Sequence, residues 1–148
     1  MTPGNLPNLD ALRAALRPNT KLIHAESPCN PLLRLTDLAG LAQIAKAAGV
    51  LTSVDSTLAT PALTQPLTLG IDLVIHSLTK FMNGHGDALG GAVIGRKDLI
   101  SRLRARAGVY LGASLAAQNA WLSLRGIDTL FPRLRTSSAT ATMLAEWL

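Results

Sequence analysis

Four polar residues follow two apolar runs of the chain and could converge on one small anionic ligand. Asp55 ends the run VLTSVD, and the run DLVIH is followed by Ser77, Thr79 and Lys80. In an open parallel sheet, ligands bind outside the carboxyl ends of the strands. A carboxylate, two hydroxyls and an ammonium at that edge could together bind an anion. Taken singly, Asp55 is explained as the cap of a turn and Lys80 as a solvated loop residue, so the indication comes from the combination.

The elements that must position these residues alternate along the chain. Short apolar runs predict strands at 21–26, 50–55, 72–76 and 89–94. Helical periodicity predicts helices at 8–17, 37–48, 97–107, 114–125 and 128–148. We expect Asn8 to cap the first helix, Thr36 to cap the second and Gly49 to close it. This alternation predicts an α/β fold with a mainly parallel sheet and flanking helices.

The composition excludes several classes of protein. With 148 residues, 48% of them hydrophobic and 16% charged, the chain suits one globular domain and not a disordered one. No apolar run approaches the roughly 18 residues of a membrane span. The start, MTPGNLPNLDALR, has neither a basic leader nor an apolar stretch, so no secretory signal is predicted. The single cysteine fits a reducing compartment. We therefore expect a cytoplasmic protein without a membrane partner.

The net charge of +5 raises the alternative of a basic nucleic-acid-binding domain. The basic residues concentrate in the second half and include Arg96, Lys97, Arg102, Arg104 and Arg106. Steps of two residues scatter the last three around a helix instead of along one face. No aromatic side chains lie among them to stack on bases. A solvated helix face explains the charge better, and no nucleic-acid partner is expected.

Ordered motifs along the chain resemble those of the Cys/Met-metabolism (trans-sulfuration) family of pyridoxal-phosphate (PLP) enzymes. They are ESPCNP at 26–31, DST at 55–57, HSLTK at 76–80, NGHGD at 83–87 and RGIDTL at 125–130. The family includes cystathionine synthases and lyases, methionine γ-lyases and homoserine sulfhydrylases. A lone S-x-T-K would be a weak signal, but several motifs in the family order are specific. The resemblance implies the large cofactor domain of fold-type I PLP enzymes, the aspartate aminotransferase-like class.

The resemblance also assigns roles to five residues. Lys80 would hold pyridoxal 5'-phosphate as a Schiff base and, once freed by the substrate amine, act as the base at Cα. Asp55 would pair with the pyridine nitrogen and keep it protonated. Ser77 and Thr79 would donate hydrogen bonds to the phosphate. Asn30 would lie near the ring oxygen of the cofactor and the substrate carboxylate.

Other polar residues near these motifs receive structural interpretations. We interpret His76 as a packed, hydrogen-bonded residue at a strand end and not as a catalyst, and His85 and Asp87 as residues that shape the loop after Lys80. The three histidines lack the spacing of metal ligands, so no metal site is predicted. The chain departs from the family at Ser56, where asparagine is frequent, which alters packing near the ring without removing its charge chemistry.

The implied function is a PLP-dependent reaction on sulfur amino acids or activated homoserine. Deprotonation at Cα would be followed by β or γ elimination or by γ replacement, as in carbon–sulfur lyases, cystathionine synthases and homoserine sulfhydrylases. Members of the family assemble as dimers and tetramers that share residues between subunits. The lyase and replacement outcomes both remain open.

The extent of the chain leads to a further expectation. Family members are considerably longer, and the helical pattern continues to Leu148 without a stop signal. We therefore expect residues 1–148 to be part of the large domain, with its C-terminal helices from about 97, and without the N-terminal segment and the C-terminal small domain. The alternative is a catalytically inactive remnant that acts at most as an association module.

Overall fold

A four-stranded sheet, in which the strands lie in the same order as in the sequence, organises the computed structural model, which describes residues 8–148. Its strands are β1 (Leu22–Glu26), β2 (Leu51–Asp55), β3 (Leu73–Ser77) and β4 (Gly91–Gly95). The first three are parallel, and β4 runs antiparallel to β3. The mainly parallel sheet confirms the prediction, and each predicted strand is found within two residues of its expected bounds.

Six α-helices occur within residues 8–148. They are α1 (Leu9–Ala15), α2 (Leu38–Ala47), α3 (Thr60–Leu63), α4 (Lys97–Leu103), α5 (Ala117–Ile127) and α6 (Leu130–Trp147). A 3-10 turn covers Pro66–Leu69, and wider turns of the π type cover Leu78–Met82 and Arg104–Tyr110. None of the helices from α1 onward is long and apolar enough to cross a bilayer. The expected lack of a secretory signal concerns a start that includes residues 1–7, which lie outside the described residues.

One face of the sheet forms the hydrophobic core with α1 and α2. Ala25, Val54 and Val74 are register partners on adjacent strands and are buried with Leu41 and Ile44 of α2. Since side chains alternate between the faces of a strand, the neighbours of these residues point the other way. Asp55 therefore lies on the face opposite the core.

The helix caps confirm one prediction and correct another. The Asn8 side chain accepts hydrogen bonds from the amides of Asp10 and Ala11, at 3.1 and 3.0 Å, as expected of a cap. The prediction that Thr36 caps α2 is wrong, because the Asp37 carboxylate accepts the Gly40 amide at 2.9 Å. The helix begins at Leu38, and the Thr36 amide donates to the Ser27 hydroxyl.

Candidate active site

The ends of β2 and β3 are joined by a short chain of hydrogen bonds. Asp55 is the register partner of Ile75, so Ser77 lies two residues further along the neighbouring strand. The Asp55 carboxylate accepts the Thr57 amide at 2.9 Å, and the Thr57 hydroxyl accepts the Ser77 amide at 2.8 Å. Thr57, for which no sequence pattern predicts this role, thus holds the ends of both strands together. Asp55 and Ser77 lie at one edge of the sheet.

Asp55 is half-buried and has hydrogen-bonding capacity left over. Its Oδ1 atom accepts the Thr57 amide, and no other donor of residues 8–148 bonds to the carboxylate. The remaining oxygen is therefore available to a protonated ring nitrogen. This is the chemistry that the pyridine nitrogen of PLP requires.

Lys80 lies in the turn that follows β3. Bonds from the Asn83 amide to the Leu78 carbonyl and from the Gly84 amide to the Lys80 carbonyl, at 2.9 and 2.8 Å, close this turn. Lys80 itself has non-helical backbone angles, with φ −96° and ψ −130°. Its exposed amine forms no hydrogen bond or ion pair in the described part of the chain. An amine in this state can react with an aldehyde.

A cleft of about 850 Å³ opens beside the turn. One wall includes Thr79 and Lys80, and α6 supplies Arg133 and Thr136 to the other. The residues that line the cleft do not include Asp55, Ser77 or Asn30. The structure thus places Thr79 and Lys80 in the cleft and the other three predicted residues at or beyond the ends of strands.

The two hydroxyls predicted to bind phosphate differ in their hydrogen bonding. The Ser77 hydroxyl has no partner among the residues from Asn8 onward, so its proton is free for a ligand. The Thr79 hydroxyl accepts the Gly90 amide at 3.2 Å and donates over 3.4 Å to the Gly90 carbonyl. That donation is long and can be redirected to a phosphate. Both residues therefore fit the role.

Asn30 lies in the loop after β1. Its backbone amide donates to the Glu26 carboxylate at 3.3 Å, which ties the loop to the end of that strand. Its side chain is exposed. The loop follows the strand at the same sheet edge as Asp55, because Glu26 is the register partner of Asp55.

The NGHGD loop is organised around Asp87. The Asn83 side-chain amide donates to Asp87 at 2.7 Å, and Arg125 donates to the other carboxylate oxygen at 3.1 Å. The bond from Asn83 is the main cause that lowers the pKa of Asp87. These contacts confirm the interpretation of Asp87 as a residue that shapes the loop after Lys80.

His76 is buried on the core side of β3 and is 4% exposed. Burial lowers the pKa of His76 below its ordinary value of 6.5, although the nearby Asp55 carboxylate and a hydrogen bond with the Ser56 backbone oppose the shift. Its Nδ1 atom and the Ser56 hydroxyl are buried without a hydrogen-bond partner in the described structure. The interpretation of His76 as a packed strand-end residue is confirmed, but within residues 8–148 its Nδ1 atom lacks the hydrogen bond that was also expected.

Acidification should destabilise the chain through His76. Because the folded state disfavours the charged imidazole, the unfolded state binds more protons just below 6.5, and the free energy of unfolding rises with pH through that window. Urea unfolding between about pH 5 and pH 8 measures this slope. A His76→Gln variant should have a shallower slope, and an unchanged slope would contradict the assignment.

Comparisons with known proteins agree with these observations. A family model described as "Cys/Met metabolism PLP-dependent enzyme" matches residues 1–148. A canavanine γ-lyase of Rhizobium leguminosarum is 53% identical over 97% of the chain, and an O-succinylhomoserine sulfhydrylase of Pseudomonas aeruginosa is 50% identical over 97%. The chain spans only 36% and 35% of those two proteins.

A solved structure gives the same result for the fold. A cystathionine γ-lyase from Lactobacillus plantarum, complexed with L-serine, matches with a TM-score of 0.83 and 39% identity. The match covers 87% of this chain and 34% of that one. The predicted fold class, resembling the large cofactor domain of fold-type I PLP enzymes, is confirmed.

Proposed function

Because the chain belongs to the Cys/Met-metabolism family of PLP-dependent enzymes, we propose that it forms part of a trans-sulfuration enzyme. The cofactor of this family is pyridoxal 5'-phosphate, and its substrates are amino acids. The observation that carries the proposal is the arrangement at the sheet edge, where Asp55 and Ser77 end adjacent strands and Lys80 follows in the next turn.

The side chains at this edge fit the cofactor. Asp55 has a free carboxylate oxygen, Ser77 a free hydroxyl and Lys80 an unpaired amine within the described residues. When bound, PLP supplies a conjugated ring that accepts the electron pair of a bond broken at the substrate Cα.

Each residue would then have a distinct task. Lys80 would hold the cofactor covalently through Nζ and, after release, take the proton from Cα and deliver it elsewhere on the substrate. Asp55 would accept a hydrogen bond from the protonated ring nitrogen and stabilise its charge. Ser77 and Thr79 would donate to the phosphate, and Asn30 would bond the ring oxygen and orient the substrate carboxylate.

The proposed substrates are sulfur amino acids or activated homoserine. The relatives include a canavanine γ-lyase, an O-succinylhomoserine sulfhydrylase and an L-methionine γ-lyase. Each of these names contains an α-amino acid that is substituted at its γ carbon. We propose β or γ elimination or γ replacement, with loss of a thiol or an activated hydroxyl. We further propose a cytoplasmic location and no nucleic-acid or membrane partner.

Residues 1–148 would form part of a larger cofactor domain, as the short coverage of the relatives suggests. Apolar side chains on the sheet support this proposal. Leu22 and Leu51, on the face opposite the core, are 50% and 36% exposed, and Val93 of β4 is 46% exposed. Further residues of a longer chain, or a second subunit of a homo-oligomer, would bury this surface and complete the site.

Reductive labelling tests the proposal. The chain is titrated with PLP, reduced with borohydride and digested, and the modified lysines are identified by mass spectrometry. We expect a saturable adduct on Lys80. The exposed lysines Lys21, Lys46 and Lys97 serve as internal controls and should react only weakly and without saturation. Equal labelling of all four lysines would refute the proposal and favour an inactive remnant.

A further inference from the structure

Arg133 of α6 connects the turn that carries Lys80 (residues 78–84, the lysine turn) to the end of α5. Its Nη1 atom donates to the Phe81 carbonyl at 2.9 Å, and its Nη2 atom donates to the Gly126 carbonyl at 2.9 Å. Its Nε atom donates to the Thr129 hydroxyl at 3.1 Å. All three nitrogens of the guanidinium are therefore engaged, and Phe81 directly follows Lys80 in the chain.

Two glycines provide the space for this arrangement. A side chain at Gly84, which has a φ of +73°, would collide with the Arg133 guanidinium. A side chain at Gly126 would collide with the backbone of Asn83. The turn thus packs directly on α5 and on Arg133, with no intervening side chain.

The charge of Arg133 is used for hydrogen bonding and not for an ion pair. In the part of the chain that the structure describes, no acidic side chain lies within ion-pair distance of Arg133. The arginines that form ion pairs there are Arg13, Arg96 and Arg125. A guanidinium is always charged and presents its donors in a rigid fork, so its bonds to two carbonyls fix both the distance and the angle between them.

We infer that Arg133 is a positioning residue that holds the Lys80 turn in place against α5. Because the Phe81 carbonyl is anchored, the backbone next to Lys80 cannot rotate freely, and the amine stays at the edge of the cleft. This inference rests on the proposed function for the role of the amine. The anchoring of the turn itself does not depend on a cofactor.

The first measurement uses the chain without PLP. Hydrogen exchange at the Asn83 and Gly84 amides reports the opening of the turn, since both amides bond within it. An Arg133→Ala variant should raise their exchange rates about tenfold or more, the change expected from losing one charge-assisted hydrogen bond. Arg135→Ala is the matched control, because Arg135 lies on the same helix, is exposed and has no hydrogen bond or ion pair among the described residues. It should leave both rates unchanged.

The second measurement reports the position of the amine. The rate at which PLP and borohydride label Lys80 should fall about tenfold in Arg133→Ala, and millimolar methylguanidinium should restore it. The same compound should have no effect on Arg135→Ala. An Arg133→Lys variant keeps the charge and an aliphatic side chain but can bond fewer carbonyls. Its Lys80 labelling rate should therefore lie between those of the wild-type chain and Arg133→Ala. This variant also supplies the comparison if Arg133→Ala unfolds.

The outcomes separate the two hypotheses. Exchange and labelling at wild-type rates in Arg133→Ala would overturn the inference. It would also be overturned if the Lys80 labelling rate fell equally in Arg133→Ala and Arg135→Ala and methylguanidinium did not restore it. If PLP labels no lysine saturably in the wild-type chain while Arg133→Ala still accelerates exchange, the proposed function fails and the anchoring of the turn stands.

Discussion

Replacing Asp55 by asparagine should weaken the binding of PLP roughly tenfold to a hundredfold. Asparagine retains the oxygen that accepts the Thr57 amide, so the contact between β2 and β3 survives. It loses the negative charge that would pair with the ring nitrogen. A hydrogen bond to a charged group contributes about 1.5–3 kcal/mol, which corresponds to that range of affinity.

A titration followed by the visible absorbance of the cofactor measures this effect. Asp128→Asn provides the control, because Asp128 is exposed and its side chain has no hydrogen-bond partner within the described residues. Equal dissociation constants for Asp55→Asn and wild type would show that the carboxylate does not contact the ring. Reductive labelling of Lys80 in the same variant would then tell whether the cofactor still binds through the lysine alone.

Replacing Gly126 by alanine should destabilise the chain by about 2 kcal/mol. The added methyl group would collide with the backbone of Asn83, and overpacking of this kind costs up to about 3 kcal/mol. Alanine recovers about 1 kcal/mol of helix propensity within α5. The backbone cannot move aside as the end of a flexible side chain would, so we expect the collision to dominate.

Urea unfolding of Gly126→Ala, of a control variant and of the wild-type chain measures the free energy of unfolding. Gly108→Ala is the matched control, since the nearest atom that its methyl group would meet is Cγ of Arg104, at 3.7 Å. That variant should be neutral or slightly stabilised. A Gly126→Ala chain as stable as wild type would show that the turn does not pack against α5 in solution.

Local patterns predicted most of the fold. The apolar runs located all four strands, and an asparagine before a helical pattern identified the Asn8 cap. The error at Thr36 is a shift of one residue: Asp37 is the N-cap instead, and aspartate ranks above threonine in that position.

The sequence offers candidate site residues, but it does not predict the contacts that hold them in place. Motifs identified Lys80 and Asp55, whereas the link from Arg133 to Phe81 joins residues 52 positions apart. The role of Thr57 likewise depends on the pairing of two strands. The direction of β4 was also not predicted, because an antiparallel edge strand and a parallel one have similar apolar patterns.

The antiparallel pairing of β4 has a consequence for the order of folding. Ser77 and Gly91 pair directly, so the turn that carries Lys80 lies in the connection between two neighbouring antiparallel strands. Contacts between segments close in sequence form faster than distant ones, because closing a short loop costs less chain entropy. The β3–β4 unit can therefore assemble early, before the parallel strands joined through α2 come together. Lys80 would then be carried on one of the first elements of the folding chain to become ordered.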